Sequence, residues 1–247
     1  VWDWDGNDLE VLDEHGSPLP SQTVQAGTDS YWSHRYARLV VRLSLTAWQF
    51  RTLFVRPNPV TLLPRPYHPH GVEDWLVERP QSLVLENRLV RVALDPQTLV
   101  IRSMRYSDGG REILAADGAG LRLEYEEPGP MTSWLTQRTR SSLALGAGGT
   151  VRDVQTDPGA IRQWIEMDLP FSTHGLDPEN GGSTARVRLE LDAGSPLLRI
   201  RVDVSFRETT TRSAGVPRLA FAVSLASGVE RVLRDVPVGF VRTAPDR

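Results

Sequence analysis

The sequence predicts an all-β protein built as an antiparallel β-sandwich. Apolar and polar residues alternate with period two, glycine- and proline-rich turns separate the alternating runs, and no segment keeps a helical period. Alternation with charged outer faces is typical of antiparallel sheets that expose one face to water, and it argues against a parallel α/β sheet. We therefore expect two sheets packed around one core.

The second half of the chain carries the clearest strand pattern. Apolar side chains fill every second position in residues 185–191 and again in residues 198–206, with mostly charged side chains between them. The turn-forming residues 192–196 separate the two runs, so the whole stretch predicts a β-hairpin. Further strands are predicted at residues 39–45, 90–94, 121–125, 161–167 and 219–225, with turns at 108–110, 146–149 and 181–182.

A proline-rich stretch marks the predicted domain boundary. Proline lacks the backbone N–H that a strand ladder needs, and six prolines lie between residues 57 and 80. We therefore predict part of a small β domain at residues 1–63, a proline-rich linker at 64–80 and the large sandwich at 81–247.

Composition excludes several classes of function. The formal net charge is -3, so no overall basic field attracts nucleic acid or a membrane, and we expect neither partner. The chain has no lysine for Schiff-base chemistry and no cysteine for a thiolate nucleophile or a cysteine zinc site. The compartment stays open, with the cytoplasm favoured.

Histidine and carboxylate pairs are the first candidates for chemistry. His68 and His70 have a spacing that can ligate a metal, but no further ligands are apparent, so we interpret them as a surface pair. Glu126 and Glu127 could supply a glycosidase carboxylate. Adjacent strand residues face opposite ways, so we interpret that pair as a solvated strand end. The sequence therefore assigns no catalytic residue and no metal ligand.

Tryptophan offers a second kind of site, because exposed indoles can stack on sugar rings. The chain has seven tryptophans, and we expect most of them in the core. Trp134 is the indole most favoured to be exposed, because it follows the turn-forming residues 126–130, and Arg138 lies four residues later; packing of Trp134 in the core or within its loop is the alternative. Trp134 and Arg138 are the candidate substrate-binding residues.

Several segments, taken in order, follow the pattern of one known family. Residues 9–22 contain a strand, an Asp-x-x-Gly turn and a Pro-x-Gln ending, and residues 47–55 follow as a closing strand. The most specific segment begins at residues 85–92, which include Glu86-Asn87, and continues through 95–96, 101–103 and 110–112. With residues 125–134 and 236–243, these segments cover nearly the whole chain and resemble the C-terminal β region of glycoside hydrolase family 38 α-mannosidases.

The resemblance implies a mutarotase-like sandwich and a parent enzyme that hydrolyses α-mannosides with retention. The catalytic residues and a zinc ion would lie in an N-terminal barrel that this chain lacks. We therefore expect no cofactor in this chain, with zinc in the missing catalytic domain, which would be its partner. Its role would be to pack on the barrel and lend loops to the cleft for a mannoside.

Two departures from the family concern specificity. Thr132-Ser133-Trp134 stands where many members have Asp-Ala-Trp, and residues 202–206 lack a tryptophan that many members have after a Val-Asp pair. The family's sandwich also continues past the segment at 236–243, so we expect an unpaired sheet edge.

A different class of function remains open, in which the sandwich acts alone. It could be a carbohydrate-binding module or a mutarotase-like sugar epimerase, on the analogy of fold. An epimerase needs a histidine acid and a glutamate base on one face, and the large domain offers His174 alone as the histidine.

Overall fold

The computed structural model describes residues 9–28, 34–57, 83–128, 138–171, 182–210, 213–227, 232–236 and 239–243, with only the backbone in the last two ranges. Within these ranges the chain forms β-strands and no helix, as the sequence predicts. Accordingly, no helix in the described part is long and apolar enough to cross a bilayer.

Seventeen strands follow one another along the described ranges. They are β1 (Leu9–Leu12), β2 (Pro18–Leu19), β3 (Ser21–Thr28), β4 (Arg35–Val41), β5 (Phe54–Pro57), β6 (Leu83–Glu86), β7 (Val90–Leu94), β8 (Ile101–Tyr106), β9 (Leu114–Glu126), β10 (Thr139–Ala144), β11 (Thr150–Gln155), β12 (Arg162–Phe171), β13 (Ser183–Asp192), β14 (Leu198–Ser205), β15 (Val216–Leu225), β16 (Val232–Val236) and β17 (Gly239–Thr243).

Two antiparallel sheets share one apolar core. The first sheet has the order β10-β9-β8-β7-β6, with β15 also paired to β9, and the second has the order β11-β12-β13-β14. Alternate side chains of both sheets are buried against each other in a single cluster. Its least exposed members include Leu83, Leu85, Leu123, Ile165, Met167, Leu189 and Leu191. This arrangement is a β-sandwich, and it confirms the predicted fold class.

Strand β13 shows how the period of two becomes a buried face. Its odd-numbered residues from Ser183 to Leu191 are buried, while its even-numbered residues are half-buried or exposed. The strand pairs with β14 without a register shift, from Leu191 opposite Leu198 to Thr184 opposite Ser205. The predicted hairpin across residues 192–196 is thereby confirmed.

Two side-chain amides join the sheets at one end. Gln163 of β12 is almost fully buried, and its Oε1 accepts from the Glu86 N–H at 2.8 Å while its Nε2 donates to the Glu86 carbonyl. Asn87 donates to the carbonyls of Asp192 at 2.6 Å and Ser195 at 2.8 Å. These bonds satisfy backbone groups at the sheet margins that have no ladder partner there.

The N-terminal strands form two small sheets, with the order β2-β1-β5 and the pair β3-β4. The β3-β4 hairpin contacts the second sheet of the sandwich. Gln22 donates to the Arg162 carbonyl and accepts from the Arg162 N–H, each at 2.9 Å, and Arg188 donates to the Val24 carbonyl at 3.2 Å. The predicted linker at 64–80 lies outside the described residues, so the domain boundary stays a prediction.

Two strand predictions in the N-terminal part are wrong in their bounds. The ladder of β3 and β4 ends where Ser21 lies opposite Val41, so Leu43 and Leu45 are not in a strand although they keep the alternation. In residues 47–55 the strand begins only at Phe54, because a turn occupies the residues before it. In that turn the Gln49 N–H donates to the Thr46 carbonyl at 3.2 Å.

Candidate functional site

At one end of the sandwich lie the strand ends next to residues 129–137 and 172–181, which contain the sequence candidates Trp134 and His174. Strand β9 ends at Glu126, before residues 129–137, and β12 ends at Phe171, before residues 172–181. Glu208 lies between them: its Oε2 accepts from the Tyr125 hydroxyl at 3.2 Å and its Oε1 from the Ser183 hydroxyl at 3.1 Å. We call this region, built from the ends of β9, β12 and β14 and the starts of β13 and β15, the loop end.

The contacts around Glu208 are largely withdrawn from water. Tyr125 is 5% exposed and Ser183 is fully buried, while the Arg207 N–H donates to the Ser183 hydroxyl at 2.9 Å. One carboxylate therefore ties β9 of the first sheet to β13 of the second. These hydrogen bonds hold the two strand ends together at the loop end.

An arginine and two glutamates form the second cluster of the loop end. Arg218 of β15 lies opposite Glu124 of β9 and forms ion pairs with Glu124 and Glu126. Hydrogen bonding to Glu124 raises the pKa of Arg218 above its ordinary value. The cluster therefore holds a fixed positive charge between two carboxylates on one face of β9.

Glu126 departs from its interpretation as a solvated strand end. The residue is 6% exposed, because Glu124 and Glu126 share one face of β9 and both reach Arg218. Glu127 is half-buried, and its N–H donates to the Arg138 carbonyl at 2.9 Å. The spacing of Glu124 and Glu126 was a usable signal for a shared cation, which the sequence interpretation missed together with Glu208.

Gly215 makes the close packing at the loop end feasible. Its φ is +106°, and a Cβ placed there would lie 2.1 Å from the Glu126 carbonyl oxygen. Only glycine adopts this backbone without strain and leaves room for that oxygen. The chain therefore enters β15 directly against the end of β9.

Of the two predicted substrate-binding residues, Arg138 lies within the described residues and Trp134 does not. Arg138 is exposed, immediately before β10, with its backbone bonded to Glu127 at the loop end. Trp134 lies outside the described residues, as do His174, His68 and His70. Of the other histidines, His15 and His34 are exposed.

Other carboxylates carry structural roles. Glu112 accepts from the Ser103 hydroxyl at 2.6 Å, the Met104 N–H at 2.8 Å and the Arg105 guanidinium at 2.9 Å. Burial opposes its charge, but these hydrogen bonds outweigh it and lower the pKa of Glu112 to about 2. In the described part of the chain, no group of three or more histidine, aspartate or glutamate side chains could hold a metal ion.

Two described tryptophans have opposite environments. Trp164 is 8% exposed, its indole N–H donates to Asp153 at 2.8 Å, and the Arg188 guanidinium lies 4.7 Å from its ring centre. Trp48 is 95% exposed and adopts a φ of 64°, in the left-handed region that bulky residues rarely occupy. Trp164 therefore lies in the core, as expected of most indoles, and Trp48 is an exposed indole that the sequence did not single out.

Trp48 belongs to a surface that we call the apolar loop. Its members share large exposed apolar side chains, and they are Leu45, Trp48, Phe50, Leu53 and Phe54. Phe50 is 94% exposed. The Arg51 guanidinium donates to Glu14 at 2.9 Å, which fixes the loop to the turn after β1. The loop thus presents aromatic rings to solvent from an anchored backbone.

Comparison with known proteins leaves the family open. No protein-family model matches the chain, and no curated protein matches it.

Proposed function

We propose that this chain is the non-catalytic β-sandwich region of an α-mannosidase-like glycoside hydrolase, which packs on the catalytic barrel and shapes the sugar cleft. The apolar loop is the single observation that carries the packing role. Exposed apolar side chains that lie close together mark surfaces that another protein covers. Trp48 and Phe50 are almost fully exposed while the backbone around them is anchored, as a docking surface requires.

The loop end supports the second half of the proposal. Glu208 and Arg218 fix the strand ends from which residues 129–137 and 172–181 leave, and Arg138 is exposed at that rim. A rigid base is what a loop needs to hold a contact with a sugar in place. The resemblance to family 38 α-mannosidases adds the sugar class, and zinc would belong to the barrel.

Hydrolysis tests the non-catalytic role. We expect the purified chain to release no nitrophenol from an aryl α-mannoside, with or without added zinc. A turnover that follows the chain through purification would overturn the proposal.

Association with a barrel tests the packing role. We expect a separately produced family 38 catalytic barrel to bind the chain, measured by sedimentation, and the double variant Trp48→Ser with Phe50→Ser to lower that affinity at least tenfold. Leu143→Ser is the matched control, because Leu143 is also exposed but lies on β10. Equal affinities of wild type and double variant would overturn the packing role.

A stand-alone carbohydrate-binding module is the second candidate, favoured by the exposed indole of Trp48. Stacking on a sugar ring needs one open aromatic face, and an indole that is 95% exposed has it. Titration with mannosides and glucosides distinguishes the two candidates. Binding that Trp48→Ala or Trp134→Ala abolishes would favour the module, whereas absence of heat and of spectral shift favours the scaffold.

A further inference from the structure

Strand β14 is the last strand in the order of the second sheet, and within the described ranges one of its edges has no strand partner. It pairs with β13, and no other described strand pairs with it. Natural proteins protect such edges with prolines, bulges, charged side chains or very short strands. Strand β14 has eight residues, contains no proline or glycine, and keeps a regular register, but Arg199, Arg201 and Asp203 are exposed along it. The strand is therefore suited to accept another strand whose charges are complementary to these.

The apolar side chains of β14 are only partly covered. Ile200 is 39% exposed, Val204 is 40% exposed and the following Phe206 is 41% exposed, although all three alternate onto the core-facing side. Their partners in the same row, Leu198 and Val202, are half-buried. A strand added at this edge would cover the rest of this row, which is where the gain in apolar burial lies.

We propose that two copies of this chain associate through β14, antiparallel, about a two-fold axis at Val202. The proposal does not rest on the function proposed above. In a symmetric antiparallel pair, side chains that lie directly opposite each other point to the same face of the sheet. If the apolar rows of both copies are to share one face, the two-fold axis must lie between the two copies of a single residue. Only a few registers therefore need to be compared.

Charge selects among these registers. With the axis at Val202, Arg201 lies opposite Asp203 of the other copy, Ile200 opposite Val204, and Leu198 opposite Phe206. An axis at Ile200 opposes Arg199 to Arg201, and an axis at Arg201 or Asp203 opposes that residue to itself. Like charges directly opposite are destabilising. An axis at Arg201 also opposes Arg199 to Asp203, but it sets Arg201 against itself. The Val202 register is thus the one near the strand centre in which directly opposed charges are complementary and no like charges meet.

Arg201 and Asp203, whose charges distinguish the registers, are exposed to solvent. Arg201 and Asp203 side chains are 64% and 56% exposed, and they already form an ion pair at 2.9 Å along the strand. In the paired arrangement each would gain an opposite charge from the second copy. Two copies would then place two arginines and two aspartates in one alternating group on the outer face.

Charge reversal tests both the surface and the register. We expect sedimentation of the wild-type chain over a concentration series to show a monomer–dimer equilibrium. Arg201→Asp alone and Asp203→Arg alone should each raise the dimer dissociation constant about tenfold or more. The double variant R201D/D203R should return it to within about threefold of wild type, because the opposed charges are again complementary.

Mixing gives an independent readout. R201D has a negative charge at both positions 201 and 203, and D203R has a positive charge at both. The two variants therefore have complementary charges, and their mixture should form a heterodimer although neither variant forms a dimer alone. Arg111→Asp is the control, because it makes the same change of charge in an exposed turn. Circular dichroism spectra check that every variant is folded.

Three results would overturn the proposal. The first is a wild-type chain that stays monomeric at every concentration, which would mean that β14 does not pair with a second copy and that a strand of another protein is the remaining partner. The second is a dimer that neither single reversal weakens, which places the interface elsewhere. The third is a folded R201D/D203R variant that stays monomeric and a mixture that forms no heterodimer, which excludes the Val202 register.

Discussion

The buried side-chain amide of Gln163 takes the place of a strand partner for Glu86. Its oxygen accepts from the Glu86 N–H and its nitrogen donates to the Glu86 carbonyl, so one side chain makes the two bonds of a β-bridge between the sheets. Gln163→Leu keeps a similar volume but leaves both backbone groups unpaired. We expect a loss of about 2 kcal/mol in the free energy of unfolding, measured by urea denaturation.

Gln25→Leu is the matched control for that change. Gln25 donates to the Tyr36 hydroxyl at 3.0 Å in an exposed position, where water can replace the lost bond. Its effect should stay within about 0.5 kcal/mol. Equal effects of the two substitutions would show that the Gln163 bridge contributes nothing beyond an exposed hydrogen bond.

Glu112 should make stability depend on pH. Its pKa is about 2 in the folded chain against 4.5 ordinarily, so it stabilises the fold above pH 4.5 and loses that contribution as the pH falls toward 2. Glu112→Gln should cost about 2 kcal/mol at pH 7, which allows for partial exposure, and much less near pH 2. Thermal unfolding over this pH range measures the gap, with Asp108→Asn in the nearby turn as control. A gap that stays constant with pH would contradict the assignment.

The Arg218 cluster predicts a coupled pair. Arg218→Met leaves Glu124 and Glu126 without their shared cation, and we expect a loss of about 3 kcal/mol because Glu126 is buried. Glu126→Gln removes one of the two charges. The double variant should be more stable than the sum of the single effects predicts, by about 1 kcal/mol or more. Additive effects in denaturant unfolding would show that the two side chains do not interact.

Gly215 should not tolerate a side chain. Gly215→Ala places a methyl group against the Glu126 carbonyl in a backbone with positive φ, and we expect a loss of about 3 kcal/mol. Gly194→Ala is the control, since a Cβ there meets nothing within 4 Å. That substitution should be neutral or slightly stabilising. Comparable melting temperatures for the two variants would refute the close approach at the loop end.

Periodicity predicted most of the sandwich, because a strand packed on one face must alternate along its length. Residues 185–191 and 198–206 therefore gave the β13-β14 hairpin directly. The same rule failed at Leu43 and Leu45, which alternate like a strand although the pairing with β3 stops at Ser21. Alternation shows which face of a strand is apolar. A strand also needs a neighbouring strand for its backbone hydrogen bonds, and that neighbour lies elsewhere in the chain.

The candidate site was less predictable, for a related reason. Glu126 is buried because Arg218 reaches it from another strand. The spacing of Glu124 and Glu126 indicates a shared cation, but no local pattern identifies that cation as Arg218, which lies far along the chain. Trp48 is exposed because a turn holds it outward, against the general tendency of indoles. Trp134 and Arg138 both stay predictions as substrate-binding residues, and the structure adds that Arg138 is exposed beside the loop end.

The contact between the β3-β4 hairpin and the sandwich has an evolutionary consequence. Gln22 bonds to the N–H and the carbonyl of Arg162, and Arg188 donates to the carbonyl of Val24, so one partner in each contact is a peptide group. Every residue type carries the carbonyl, and every type except proline carries the N–H. Val24 can therefore change without loss of its bond. Because these bonds do not require a substitution in one element to be matched by one in the other, a method that infers contacts from covariation would not detect them.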